Sequence, residues 1–195
     1  MSYLSKTQYK RINRIIPIFE VTAYSGFTNQ PANDDIEIVS DSASDTQLIT
    51  VLYYDNSDDL QQETTTLTGT SPVTIATTPK AKTVLGAFLG DDKGNISARA
   101  VGTITIREAS GDLTITTISA GELAVGVQRF YLEGQDVVIE AINGNAWYNP
   151  HDKVVSTTGA HIQMTGRMSH EINVTKYLTF ISDNVGATVQ ILITD

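Results

Sequence analysis

From Ile36 to the end of the chain, short runs of β-branched and apolar residues alternate with polar ones and break at clusters of Gly, Asn and Asp. That alternation puts successive side chains on opposite faces, which is the pattern of a half-buried strand. Threonine carries much of it. Of 195 residues 26 are Thr, many flanked by Val, Ile or Leu, and a side chain with both a methyl and a hydroxyl suits a pleated surface facing a neighbour and water. The breaks include Asp55-Asn56-Ser57-Asp58-Asp59, Gly90-Asp91-Asp92-Lys93-Gly94-Asn95, Ala109-Ser110-Gly111-Asp112 and Glu133-Gly134-Gln135-Asp136. These residue types have the φ and side-chain hydrogen-bonding preferences that tight reversals need. About a dozen strands joined by short loops predict an all-β fold, an antiparallel β-sandwich or jelly-roll-like fold, rather than a βαβ fold.

Some strands declare their faces. In residues 187–193 the odd positions Ala187, Val189, Ile191 and Ile193 are apolar and Thr188 and Gln190 polar, so one side points into a core. Residues 48–54 are almost continuously apolar, which predicts a central strand or one covered on both faces. Asn143-Gly144 reads as a hairpin turn between 137–142 and 145–148. Thr68-Gly69-Thr70-Ser71-Pro72 separates two strand-like runs, so Gly69 is expected at a turn that a side chain would strain.

The first 35 residues read differently. Lys6, Lys10, Arg11 and Arg14 precede the first acid, Glu20, so all 22 acidic residues follow a basic start. Ile12, Ile15 and Ile16 share one side of a short amphipathic helix predicted within residues 8–16, with Pro17 as its stop. Residues 26–35 read as a loop or linker. The expected organisation is a basic arm and linker over 1–35 and a sandwich domain over 36–195. The arm, through Lys6, Lys10, Arg11, Arg14, Ile12, Ile15 and Ile16, is a candidate contact with an acidic surface on a neighbouring subunit or shell protein. The remaining candidate contact is Trp147-Tyr148, in a stretch bounded by Gly, Asn and Pro, where an exposed aromatic pair would form a hot spot for a subunit or a glycan; anchoring of the loop by Trp147 in the protein's own core fits the same residues equally well.

Chemistry is thinly signalled. Without cysteine there is no disulfide, thiolate metal site or cysteine nucleophile. His151, His161 and His170 are too widely spaced for a zinc pair on one element, and no Gly-x-Ser-x-Gly elbow is present. The acidic loops supply oxygen ligands but no EF-hand order. We therefore expect no metal, no cofactor and no enzymatic activity. The net charge of -9 argues against nonspecific nucleic-acid binding, which needs clustered Lys and Arg. The longest charge-free run, residues 64–79, is half threonine and cannot span a bilayer. The start Met1-Ser2-Tyr3-Leu4-Ser5-Lys6 lacks the order of a secretory signal, which predicts a soluble protein made in the cytosol, with no membrane partner.

Across roughly residues 36 to 140 the chain resembles uncharacterised virion proteins of tailed bacteriophages. Ser44-Asp45-Thr46 looks like the opening word of that group. Glu63, Leu67, Gly69, Thr70, Val73 and Thr74 match its central block in spacing. Gly102-Thr103-Ile104 is similar to the next strand, and Ala120-Gly121-Glu122 to a later element. The chain departs from the pattern at Tyr54-Asp55, which lacks a Gly, and at Glu133-Gly134, where Pro-Ala-Gly would stand. The resemblance implies a structural component of a virus particle, assembled in the host cytoplasm, with no catalytic residues to carry over. A capsid decoration (cement) protein bound in many copies to the major capsid protein or other virion proteins is the leading expectation. A homotrimer is favoured by analogy with threefold lattice sites. The alternative is a neck, tail or fibre component with a carbohydrate-binding β-sandwich module.

Overall fold

The computed structural model describes residues 12–21, 26–111, 113–149, 162–165, 169–174, 176–182 and 187–194. In chain order the strands are β1 (Ile12–Val21), β2 (Ile36–Ser40), β3 (Leu48–Asp55), β4 (Leu60–Thr66), β5 (Val73–Ile75) and β6 (Ala81–Leu89). They continue with β7 (Ile104–Glu108), β8 (Thr114–Ile118), β9 (Ala124–Gly126), β10 (Gln128–Tyr131) and β11 (Asp136–Asn143). The last five are β12 (Asn145–Asn149), β13 (Ile162–Thr165), β14 (Ser169–Asn173), β15 (Tyr177–Ser182) and β16 (Ala187–Thr194). Among the described residues there is no helix. The strands form four antiparallel sheets with orders β5-β2-β7-β8, β4-β3-β6-β9, β10-β15-β12-β13 and β1-β16-β11-β14.

The first two sheets enclose one core. Ile36, Ile38, Ile104 and Ile106 come from one, and Ile49, Val51, Val84 and Leu89 from the other. The last two enclose a second core, in which Phe130, Tyr148, Leu178 and Phe180 face Val137, Ile139, Val189 and Ile191. The expected single sandwich over residues 36–195 is thus two sheet pairs with a core each, and the second pair also takes in β1 from before residue 36. β16 keeps the expected alternation, with Ala187, Val189, Ile191 and Ile193 buried. β3 lies between β4 and β6 and is covered on both faces. Its Ile49, Val51 and Tyr53 enter the first core, while Leu52 meets Leu85, Val127 and Trp147 in a small third cluster that joins the two units. Phe88 of β6 reaches the second core and sits edge-to-face on Phe130, ring centroids 5.2 Å apart. On the covered face of the third sheet, buried Arg129 lies over the Tyr177 ring at 3.4 Å, and Gln62 of β4 donates to the Arg129 carbonyl.

Two expectations are corrected. The helix predicted within residues 8–16 gives way to strand β1, antiparallel to β16 with Ile15 opposite Leu192 and Ile16 opposite Ile191. Isoleucine favours the strand, and Pro17, which would have stopped a helix, falls inside a register shift on an edge strand, where its missing N–H leaves no ladder bond unmade. Residues 12–21 therefore belong to a sheet rather than to a free arm. Asn143-Gly144 is no hairpin turn either. β11 and β12 lie in different sheets, so Gly144 is a corner, its φ of 71 placing it in the left-handed region where glycine is favoured.

Gly69 does occupy the strained turn expected of it. Its φ is 68, and a Cβ there would stand 2.8 Å from the Ala43 Cα. Its N–H donates to the Asp45 carbonyl and its carbonyl accepts from the Ser40 N–H. Gly69→Val should cost about 1–3 kcal/mol from the backbone conformation alone, with the overlap on Ala43 adding to it. Chemical denaturation of variant and parent checks this, and equal midpoints and slopes would refute it.

Candidate functional site

A cleft of about 470 Å³ opens at one end of the fourth sheet. Arg14 of β1, Gln135 and Asp136 at the start of β11, Asn173 of β14, and Ile193 and Thr194 of β16 line it. The turn that carries Gln135 is held on both sides. The Gln135 N–H donates to the Leu132 carbonyl at 3.1 Å, the Gly134 N–H to the Val174 carbonyl at 2.8 Å, and the Val174 N–H to the Gln135 carbonyl at 2.9 Å. Asp136 accepts from the Asn173 Nδ2 at 2.8 Å, and its main-chain carbonyl accepts from the Thr194 hydroxyl at 3.3 Å. The Arg14 guanidinium donates to the Lys93 carbonyl. Within this frame the Gln135 Oε1 is buried and has no hydrogen-bond partner.

The sequence did not flag this convergence. Asp136 is 37 residues from Asn173 and 58 from Thr194, and Glu133-Gly134-Gln135-Asp136 read only as a turn. Of the candidate arm contacts among the described residues, Arg14 is placed at a polar site. Ile12, Ile15 and Ile16 take ladder positions opposite Thr194, Leu192 and Ile191. Lys6, Lys10 and Arg11 lie outside the described residues, as do His151 and His161.

The aromatic pair is corrected. Trp147 and Tyr148 lie on β12 rather than in a loop, and they are 8% and 1% exposed. Strand geometry sends them to opposite faces: Tyr148 into the second core, 6.3 Å from Phe180, and Trp147 into the cluster between the units. Burial pushes the Tyr148 phenol up to about 12. Neither ring is available to a partner or glycan.

A second polar centre sits at one end of the first unit. Asp45 is fully buried. Its carboxylate accepts from the Ser40 hydroxyl at 2.6 Å, the Gln47 amide at 3.1 Å, and the N–H groups of Val101 and Gly102 at 2.8 and 2.9 Å. Burial by itself would raise its pKa, but these bonds to the charged form outweigh it and hold Asp45 below the ordinary carboxylate value. The loop so tethered presents Val101, 60% exposed.

The acidic loops weighed as calcium ligands are occupied by their own backbone. Asp55 accepts from the N–H groups of Ser57 and Asp59, and Asp91 from those of Lys93 and Asn95. Among the described residues no three His, Asp or Glu side chains gather to hold a metal. Comparison with models of known protein families and with curated proteins finds no match.

Two outcomes follow from these placements. A carboxyl whose folded-state pKa is lowered adds stability that is present above its unfolded value, near pH 4, and is lost as pH falls through the lower folded value. Asp45→Asn should therefore cost about 2–4 kcal/mol near neutral pH, and the gap between variant and parent should narrow in acid, measured by denaturation across pH. A gap constant with pH would refute the assignment. The single Trp gives the second test: its emission should be blue-shifted and poorly quenched by a neutral quencher in the folded protein, and both should change on unfolding. Quenching as efficient as for free indole would contradict its burial.

Proposed function

We propose that this protein is a structural component of a tailed-bacteriophage particle, a decoration protein that binds the head shell in many copies and acts by contact rather than by chemistry. The observation that carries the reading is the meeting of its separate words of resemblance at one place. Asp45, Gly69 and Gly102 are far apart in sequence, yet the Gly69 N–H donates to the Asp45 carbonyl and the Gly102 N–H to its carboxylate. The turn-and-strand words that resemble virion proteins are thus a single tethered knot. A role in assembly also accords with the charge layout, a basic segment ahead of an acidic body. Its partner is then the major capsid protein or another shell protein, and a trimer follows from analogy with threefold lattice sites.

The contact assigned to the start of the chain can be tested by a truncation that stops before β1. Removal of residues 1–20 would strip a strand from β16; removal of residues 1–11 would not. The shorter truncation should leave the thermal stability unchanged and weaken co-sedimentation with particles lacking the protein. Added salt should weaken the full-length interaction as well, because exposed charge pairs are screened beyond about 8–10 Å at physiological ionic strength. Full particle occupancy by the truncated protein would remove the arm from the contact. Mass spectrometry of purified particles tests the role itself: a copy number matching the shell lattice supports decoration, and a single ring's worth points to neck or tail.

A further inference from the structure

We propose that Asn143 is a site of spontaneous covalent modification, an asparagine that the fold presents to its own backbone and that converts to aspartate and isoaspartate with loss of ammonia. The site is independent of the assembly role. Asn143-Gly144 is the only Asn-Gly pair in the sequence, and it stands at the corner where the chain leaves the fourth sheet for the third. Asn143 ends β11 and is exposed, as is Ile142 before it, so water reaches the carboxamide.

The attacking nitrogen belongs to neither sheet. β11 pairs with β16 as far as Asn143, while β12 pairs with β13 from Asn145 and with β15 from Ala146. Between these ladders the Gly144 N–H donates to the Oδ1 of Asn143 itself, at 2.9 Å. The carboxamide is thus folded back over the nitrogen that follows it, the positioning that makes an intramolecular attack effective. Glycine has no side chain to crowd the approach. Asn56, also exposed and followed by the small residue Ser57, is held differently. There the Ser57 N–H donates to the Asp55 carboxylate at 2.8 Å, away from the Asn56 side chain.

The chemistry needs only water. Once the Gly144 nitrogen has lost its proton to solvent base, its electron pair bonds to Cγ of Asn143. The Cγ–Nδ2 bond breaks, and Nδ2 leaves as ammonia with a proton taken from water, which closes a succinimide ring. Water then opens the ring at either carbonyl. Attack at Cγ breaks its new bond to the Gly144 nitrogen and gives aspartate. Attack at the main-chain carbonyl carbon of Asn143 breaks the original peptide bond and gives isoaspartate, with the chain routed through Cβ. Either product places a new carboxylate on the exposed corner.

The test is incubation of the folded full-length protein in mildly alkaline buffer made with heavy-oxygen water, then digestion at acidic pH and peptide mapping by mass spectrometry. Isoaspartate is read separately with isoaspartyl methyltransferase. Asn143 should convert to both products, each carrying a heavy oxygen, at a rate that rises with pH. Ser57 must first give up a bond to a charged group, so Asn56 should react at least about tenfold more slowly. That comparison is internal to the parent protein and needs no variant. Asn143→Gln, whose longer side chain closes the ring less readily, should remove the methyltransferase signal from this peptide. Conversion of Asn56 as fast as Asn143 overturns the proposal. So does aspartate at this position without isoaspartate, which would mean direct hydrolysis of the side chain, and so does conversion confined to urea-unfolded protein, which would mean that the corner shields it.

Discussion

The two central strands of the second sheet, β3 and β6, are buried on both faces along most of their length, and the rest of the molecule is arranged around that constraint. One face of β3 and β6 gives Ile49, Val51, Val84 and Leu89 to the first core, while the other gives Leu52, Leu85 and Phe88 to the junction and the second core. Each large apolar side chain so placed is worth about 1.5–3 kcal/mol of burial. A shift of one residue in this sheet would exchange the two sets, sending each into the wrong environment. Thr50 shows how strictly the covered face is satisfied: it is fully buried, and its hydroxyl pairs with the Thr64 hydroxyl at 2.8 Å and the Gly90 carbonyl at 2.7 Å. β16 extends the order to the far side, where it lies between β1 and β11 and gives Val189 and Ile191 to the second core.

With no cysteine in the sequence, loops are held by carboxylates that accept turn N–H groups. Asp45, Asp55 and Asp91 each do so, and Asp34 accepts from the N–H groups of Asp35 and Ser110. The Ser110 side chain, ahead of these backbone bonds, lowers the Asp34 pKa to about 2. A carboxylate already receiving several backbone donors has little acceptor capacity left for a cation. Acidic clusters that resemble ion sites in sequence are therefore turn fasteners here. The turn beside the cleft at the end of the fourth sheet differs: its backbone is tied to Leu132 and Val174, while the Gln135 side-chain Oε1 is buried without a partner.

That contrast bears on function. A protein acting by contact needs rigid loops at defined places, and the Asp45 knot supplies one by fixing Val101 and Gly102 from beneath. The aromatic residues that would have given a ready surface for a partner are used inside instead, Tyr148 in a core and Trp147 between the units. On the assembly role proposed above, contact energy would come from the loops, the strand edges and the basic residues at the start of the sequence.

The all-β class, the inward side of β16, the double burial of β3 and the strained turn at Gly69 were legible in residues alone. Each is a local matter: side-chain alternation, a continuous apolar run, and one position where a Cβ has no room. What lay beyond reach was set by partners distant in the chain. The segment Ile12–Val21 is a strand because β16 offers it a ladder, whatever its helical spacing of isoleucines. Asn143-Gly144 has the composition of a hairpin turn, but a corner between two sheets demands the same backbone. The turn formers around Trp147 fit an exposed contact and an anchored core residue equally, and it is buried because a second unit covers that face. Gln135, Asp136, Asn173 and Thr194 carry no shared spacing, since a cleft at the end of a sheet collects residues by strand order rather than by sequence order. Local pattern decided which segments are strands and which way they face. Only long-range pairing decided which faces meet, and therefore which polar groups were left without a partner.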